Sequence, residues 1–414
     1  MDITVEIAIL GFGREGKAVL KFLRKTPQFK NADISILDKK LNKDYLNNLD
    51  KFDIVFRSPG VPYNLPEIQK AVKKGVKFSS ATQLFFESAE KIGCLTIGIT
   101  GTKGKGTTST LLCKILKAAK KNVYLAGNIG KPAVEILPKL RKDSVVILEL
   151  SSFQLQDLNF SPDIAVVLNI FPDHLDTHKN FKEYFDSKTQ IAKHQNNRSK
   201  IFFDAADKFA KNIAKLSKGE KIAVQTKNFE LFELEDLKIA GEHNYKNAVM
   251  AASVARFLGV KLEIIKKTVK NFRGLRHRLE FVRKINGVKF YNDSASTNPY
   301  TAAAAIHAFS DQPKILIAGG KDKNLNYSPL ADALKKSNVK LVILFGENKK
   351  KIKKKIEKSG VPVKLVKNLK NAVDLAYQKT KSYVLFSPTS ASFDMFKDYQ
   401  DRGEKFKKII KWLK

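Results

Sequence analysis

The stretch Thr100-Gly-Thr-Lys-Gly-Lys-Gly-Thr-Thr108 (TGTKGKGTT) follows an apolar run from Cys94 to Ile99 and opens a segment in which Leu111, Leu112, Ile115, Leu116 and Ala119 recur at helical spacing. The order is strand, glycine-rich turn, helix. Backbone N–H groups of such a turn, together with the positive end of the helix, cradle polyphosphate, while a lysine placed like Lys105 reaches the terminal phosphates. The stretch therefore points to a nucleoside triphosphate. The full GxxxxGK[ST] spacing is absent, because Gly106 follows Lys105, and glycine-rich turns beside a lysine also arise by chance in a lysine-rich chain.

Outward from this turn, apolar strands alternate with helical patterns along the whole chain. Strand-like runs at 5–10, 33–38 and 53–57 form a first series, with Ser58-Pro59-Gly60 closing the third as a turn. A second series begins near Cys94, with strands at 145–150 and 163–170 and helices at 179–194 and 245–258. A third restarts at Gly287, with strands near 287–292, 314–318, 339–345, 362–366 and 382–387. Continuous apolar strands separated by helices imply parallel sheets covered on both faces, an α/β fold. At 414 residues the chain exceeds one ordinary core. The seams are expected near 90–93 and 272–277.

Composition narrows the class. Two cysteines, Cys94 and Cys113, have no CxxC spacing, which fits a reducing cytoplasm. No apolar run approaches a membrane span, and Ile7 to Phe12 is too short for a signal peptide. The net charge of +35, from 76 basic and 41 acidic residues, invites a nucleic-acid reading. Its distribution argues otherwise: lysines are spread over almost every helical segment, and the cluster Lys349 to Lys355 reads as a solvated helix face.

Several strand ends carry chemistry. Gly11-Phe-Gly13-Arg-Glu-Gly16 follows the first strand and Asp38 ends the second, the pattern of a dinucleotide turn with an acidic residue near a ribose. NAD, another nucleotide and a purely structural turn all fit that pattern. Glu149 ends the strand 145–150, where a carboxylate reaches Mg²⁺, and the next strand leads into Asp173-His174-Leu-Asp176-Thr-His178. Glu149 and His174 beside the hydroxyl of Thr107 would make a metal-triphosphate site. His174 and His178 also suit helix capping. Asn244 and Asn247 share a helix face, suited either to a nucleotide or to an N-cap. Arg278 stands at the second seam, where it could clamp phosphate, and Asp293 ends the first strand of the last series, where it could meet a ribose.

Taken together, the glycine loop, ELSSFQL (149–155), DHLDTH (173–178), GEHNYKNA (241–248), HR (277–278) and NDSASTN (292–298) resemble the Mur ligases, specifically the branch that joins D-glutamate to UDP-N-acetylmuramoyl-L-alanine. The resemblance runs nearly the full length. It implies three domains: a Rossmann-like UDP-sugar domain over 1–91, a central P-loop ATPase-type domain with a parallel sheet over 92–274, and a Rossmann-like C-terminal domain over 275–414 that closes over ATP and the amino acid. It also implies a cytoplasmic monomer in peptidoglycan precursor synthesis, with no nucleic acid bound and no membrane insertion.

The resemblance further implies roles for particular residues. Lys105, His174 and Lys188 would be catalytic. ATP would meet Gly101, Thr102, Lys103, Gly104, Lys105, Gly106, Thr107, Thr108, Asn247, Arg278 and Asp293. Two Mg²⁺ ions would be held by Thr107, Glu149, His174 and Lys188, the last carbamylated into an anionic oxygen ligand. Gly13, Arg14, Glu15, Asp38, Lys39, Lys40, Asn128 and Ser151 would face the UDP-sugar, and Thr297, Lys323, Ser392, Phe393 and Tyr399 the D-glutamate. The chain departs from the family pattern at Gly106, which shifts the metal hydroxyl to Thr107. It departs again at Ala295, where some members carry lysine, and at Tyr399, which stands for a phenylalanine.

Overall fold

The computed structural model describes residues 5–174, 177–227, 229–239, 241–309, 311–322 and 325–413. Three sheets organise them. The first joins β1 (Glu6–Leu10), β2 (Asp33–Leu37), β3 (Ile54–Arg57) and β4 (Lys77–Ser79) in the order β2-β1-β3-β4, all parallel. Ile7 to Leu10 are wholly buried, as a strand covered on both faces requires. At its end Gly11 takes a left-handed φ of 87°. A side chain on Gly16 would come within 2.2 Å of the Gly11 carbonyl, so the helix Arg14–Leu23 can start this close to the strand only with glycine there.

The second sheet contains β5 (Leu95–Thr100), β6 (Val123–Gly127), β7 (Val145–Glu149), β8 (Ile164–Val167), β9 (Lys200–Asp204) and β10 (Glu220–Val224). Its order is β10-β9-β8-β5-β7-β6, again all parallel. The chain leaves β5 toward one edge through β6 and β7 and then crosses to the other side at β8. β5 therefore stands at the point where the strand order reverses, and its carboxyl end is where an open α/β sheet accepts a ligand.

The third sheet holds β11 (Glu280–Ile285), β12 (Val288–Asn292), β13 (Lys314–Gly319), β14 (Val339–Phe345), β15 (Val363–Leu365) and β16 (Tyr383–Phe386), in the order β11-β12-β16-β13-β14-β15. All neighbours are parallel except β11 and β12, a hairpin closed by Asn286-Gly287 with both φ values positive (45° and 87°). Asn-Gly is the sequence best able to adopt that turn. The lysine cluster forms the helix Lys349–Ile356, which buries only Ile352 and Ile356 and turns the rest of its face to solvent.

The chain divides into two compact units: residues up to Leu231 with Lys246–Val269, and Phe232–Tyr245 with Lys270 onward. The first unit carries the first two sheets, the second unit the third. Among the described residues no helix is long and apolar enough to cross a membrane.

Candidate active site

The phosphate loop leaves the buried end of β5. Gly101 (φ 153°) and Gly104 (φ 90°) have backbones that L side chains rarely adopt, and neither has room for one. A Cβ on Gly101 would lie 2.7 Å from Leu168 Cβ, and one on Gly104 would lie 2.1 Å from Asn247 Oδ1. Asn247, expected to serve ATP, thus packs against the loop. The helix Lys105–Ala118 begins immediately, its first bond running from Thr108 N–H to Gly104 O at 2.9 Å. The amides of Gly106 and Thr107 therefore point out of its N-terminus, where an anion is favoured.

Around that loop, Lys103 is exposed and pairs with Asp173 at 2.9 Å, and Thr102 is buried between Phe171 O (3.0 Å) and the Tyr184 hydroxyl (2.9 Å). Lys105 Nζ donates to Gly101 O (2.8 Å) and Thr102 O (3.0 Å). Thr107 is half-buried, whereas Thr108 is fully buried and its Oγ1 has no hydrogen-bond partner among the described residues.

Lys188 lies on the helix Phe181–Lys193 and is wholly buried, its Nζ 3.2 Å from Gly101 O and 3.4 Å from Thr100 Oγ1. Burial, reinforced by the nearby Lys105, holds this ammonium well below the ordinary lysine range. That shift favours loss of its proton, and a deprotonated amine is a nucleophile. Glu149 is buried beneath the same end of the sheet and accepts from Asn128 Nδ2 at 2.8 Å. His174 is half exposed, in a left-handed backbone (φ 53°), with its ring edge-on to Phe153 at 5.2 Å. His178 is different: it is buried, 3.0 Å from Ser152 Oγ, and stacked on Phe153. It is a packing residue.

Lys105, Asn128, Ser151, His174, Tyr184 and Lys188 line one cleft of 410 Å³. Gly13, Arg14, Glu15, Asp38, Lys39 and Lys40 line a second, of 390 Å³, together with Asn128. All eight residues expected at the UDP-sugar thus border one cleft or the other. The two clefts share Pro59, Gly60 and Asn128 and so adjoin. The reading from sequence missed Tyr45 and the segment 58–62 of the second cleft. Their only signal was position, since 58–62 follows the carboxyl end of β3. Asp38 shapes the turn as much as it lines the cleft, for its oxygens accept from Phe12 N–H (2.6 Å) and Lys40 N–H (2.9 Å), which holds its carboxyl below the usual range.

In the second unit, Asp293 follows β12 and is buried, accepting from Leu279 N–H (3.2 Å) and from the hydroxyls of Ser296 and Ser387. Arg278 is exposed and Thr297 half-buried. Ser392 is buried, Phe393 is 65% exposed, and Tyr399 begins the helix Tyr399–Lys411. Arg402, which sequence reasoning did not single out, gathers these segments. Wholly buried, it donates to Ser294 O (2.8 Å), Ser294 Oγ (3.0 Å) and Ser390 O (2.9 Å), while Ser294 Oγ donates to Tyr399 O (2.9 Å). Lys323 lies outside the described residues.

Burial pushes the Asp293 carboxyl from 3.8 to about 6. Across that window the folded chain keeps a proton that the unfolded chain has released, so this group's contribution to stability is present at low pH and lost as pH rises. Asp293→Asn should remove the slope. Urea unfolding at about pH 4.5 and pH 6.5 should show the variant gaining ~1–2 kcal/mol on the wild type at the higher pH.

A phosphate loop at the switch point of a parallel sheet, a second cleft adjoining it and a third α/β sheet define a nucleotide-binding protein of α/β class. Comparison with known proteins makes the assignment specific. Residues 99–235 match the Mur ligase middle domain and residues 277–389 the Mur ligase glutamate ligase domain. The UDP-N-acetylmuramoylalanine–D-glutamate ligase of Acetivibrio thermocellus is 36% identical over 92% of this chain and 87% of its own. Among solved structures, the UDP-N-acetylmuramate–alanine ligase MurC of Thermotoga maritima matches with a TM-score of 0.58 at 18% identity, covering 99% of each chain. The MurF ligase of Thermotoga maritima, solved in complex with ADP, matches with a TM-score of 0.57 at 18% identity, over 99% of this chain and 95% of its own. The chain belongs to the Mur ligase family, and its Mur ligase domains make it an ATP-dependent amide ligase.

Proposed function

We propose that the chain joins D-glutamate to UDP-N-acetylmuramoyl-L-alanine at the expense of ATP. The observation that carries this reading is the junction at Pro59, Gly60 and Asn128. A substrate with a nucleotide at one end and a carboxylate at the other can lie along both clefts, its diphosphate beside Arg14, Lys39 and Lys40 and its carboxylate near Lys105.

The alanyl carboxylate is a poor electrophile. One of its oxygens attacks the γ-phosphorus of ATP, the bond to the β,γ-bridging oxygen breaks, and ADP leaves with that electron pair. The amine nitrogen of D-glutamate then attacks the acyl carbon, phosphate departs, and the nitrogen gives up a proton. Lys105 leaves the carbonyls of Gly101 and Thr102 to meet the β- and γ-phosphates, and the amides at the helix N-terminus hold the same oxygens before the reaction begins. In our reading Asn247, Arg278 and Asp293 serve ATP, while Thr297, Lys323, Ser392, Phe393 and Tyr399 serve the incoming amino acid.

The donor chemistry here suits Mg²⁺ only in part. Among the described residues no three His, Cys, Asp or Glu side chains converge on one point, so the oxygens of ATP have to complete any coordination. Glu149, His174 and Thr107 would hold one ion, and Lys188 could contribute to a second only after carbamylation, since an amine is a poor ligand for a hard cation. Bound Mg²⁺ supplies neutralisation of the phosphate charge. The amine of Lys188 forms its carbamate when the nitrogen bonds the carbon of CO₂ and loses a proton, leaving an anionic oxygen.

Phosphate release, measured with UDP-N-acetylmuramoyl-L-alanine, ATP and Mg²⁺ against D-glutamate, L-glutamate and diaminopimelate, tests the reading. Release should require D-glutamate. Equal rates with diaminopimelate would overturn the assignment of the amino acid, and release without any amino acid would overturn the ligase reading.

A further inference from the structure

Arg57, the last residue of β3, is among the largest wholly buried side chains and takes no direct part in either cleft. Its five N–H groups are all engaged. Nε and Nη2 form a fork on Asp157 (2.8 and 2.6 Å), Nη2 also donates to Phe153 O (2.9 Å), and Nη1 donates to Val61 O (2.7 Å) and Ser58 O (3.5 Å). One guanidinium therefore links the turn 58–61, whose Pro59 and Gly60 border both clefts, to the segment 153–157 of the other sheet domain. Phe153 in turn packs its ring against His174 and His178.

A second tie runs parallel to it. Gln154 Nε2 donates to Glu15 Oε1 (2.8 Å), which turns the amide oxygen of Gln154 toward Ser151, whose N–H and Oγ both lie 3.1 Å away. Both ties end on the short helix Ser152–Leu155 and its flanks, and Ser151 and Phe153 border the cleft that holds Lys105.

A dry ion pair of this kind is commonly replaceable by apolar residues without loss of stability, because desolvation of the two charges offsets their attraction. What apolar residues cannot replace is direction. A saturated planar fork fixes several backbone points at once, and lysine cannot reproduce it.

We propose that Arg57 is a positioning residue: it holds the common wall of the two clefts in register with Phe153 and so sets where the carboxylate of the nucleotide-linked substrate meets Lys105. The proposal rests on the reaction assigned above. Small misplacements at a reacting carboxylate are costly, so the effect should appear in the kinetics of that substrate.

The test compares wild type, the double variant Arg57→Met/Asp157→Leu and Arg57→Lys by thermal unfolding and by phosphate release. The double variant should unfold within a few degrees of wild type, show KM for UDP-N-acetylmuramoyl-L-alanine raised about tenfold or more with a fall in kcat, and keep KM for ATP within about twofold. Arg57→Lys should share the KM defect. Wild-type kinetics in the double variant, an equal rise in KM for ATP, or full recovery in Arg57→Lys would each overturn the positioning role while leaving the ligase reading in place. A double variant that does not fold would overturn it too, by making the pair a requirement of stability. Absence of ligation by the wild type overturns the functional reading, and this proposal with it.

Discussion

Lys105→Ala should lower ATP-dependent phosphate release about 10³-fold while leaving the fold intact. The size follows from its place. Lys105 is the side chain that opens the helix at the phosphate loop, with an ammonium that already reaches back over the loop to Gly101 O and Thr102 O. A γ-phosphoryl group in flight spreads negative charge over its oxygens, and a preorganised cation there acts where water is excluded. The fold should survive because the side chain is only partly buried and Gly101 O keeps a second donor in Lys188 Nζ. Circular dichroism and thermal unfolding check the fold, and single-turnover phosphate release checks the chemistry. Turnover within tenfold of wild type would remove Lys105 from its assigned role.

Lys188→Met should have the second largest effect, a loss of about 10²-fold in ligation accompanied by a gain in stability. The stability sign comes from linkage. The folded-state value of Lys188 is depressed far below 10.5, so over the window between the folded and unfolded values the unfolded chain binds a proton that the folded chain does not. Stability therefore rises with pH up to the unfolded value, and at neutral pH the lysine is a liability that methionine removes. The loss of ligation follows if the neutral amine carries a carbamate. Wild-type chain incubated with ¹³C-bicarbonate should show a carbamate resonance that is missing in Lys188→Met, and stripping CO₂ should depress wild-type turnover. Full activity in the methionine variant would end the carbamate assignment.

Much of this protein could be read before any coordinates. Buried parallel strands announce themselves because both faces are covered, so β1, β7, β13 and β14 are near-continuous apolar runs, and each lies within a residue or two of its expected limits. Five strands went unread: the apolar but short β6 and β9, and three that are short, partly polar or marginal. β4 has three residues, β10 reads Glu-Lys-Ile-Ala-Val with most of its side chains at least partly exposed, and β11 is the antiparallel edge Glu-Phe-Val-Arg-Lys-Ile. Residues there face water on one side, and their composition no longer separates strand from loop. The same contrast holds in the site. The glycine loop, Glu149 and His174 lie at strand ends, where a sheet of this kind binds ligands, whereas nothing local to Lys188 distinguishes it from the many other lysines.

The sequence by itself determined the α/β alternation, the glycine-rich phosphate loop and, through motif order, the resemblance to the Mur ligases. The alternation and the loop are local, since each depends on residues a few positions apart and on backbone conformations that particular residues permit or forbid. Only the tertiary structure decided that Lys188 is buried against Gly101, that the two clefts adjoin at Pro59, Gly60 and Asn128, and that Arg57 grips Asp157 one hundred positions away. The physical reason is that desolvation and hydrogen-bond geometry belong to neighbours in space. A lysine is pushed toward its neutral form, or an arginine becomes a strut, only when the packed chain removes water from around it and supplies the acceptors.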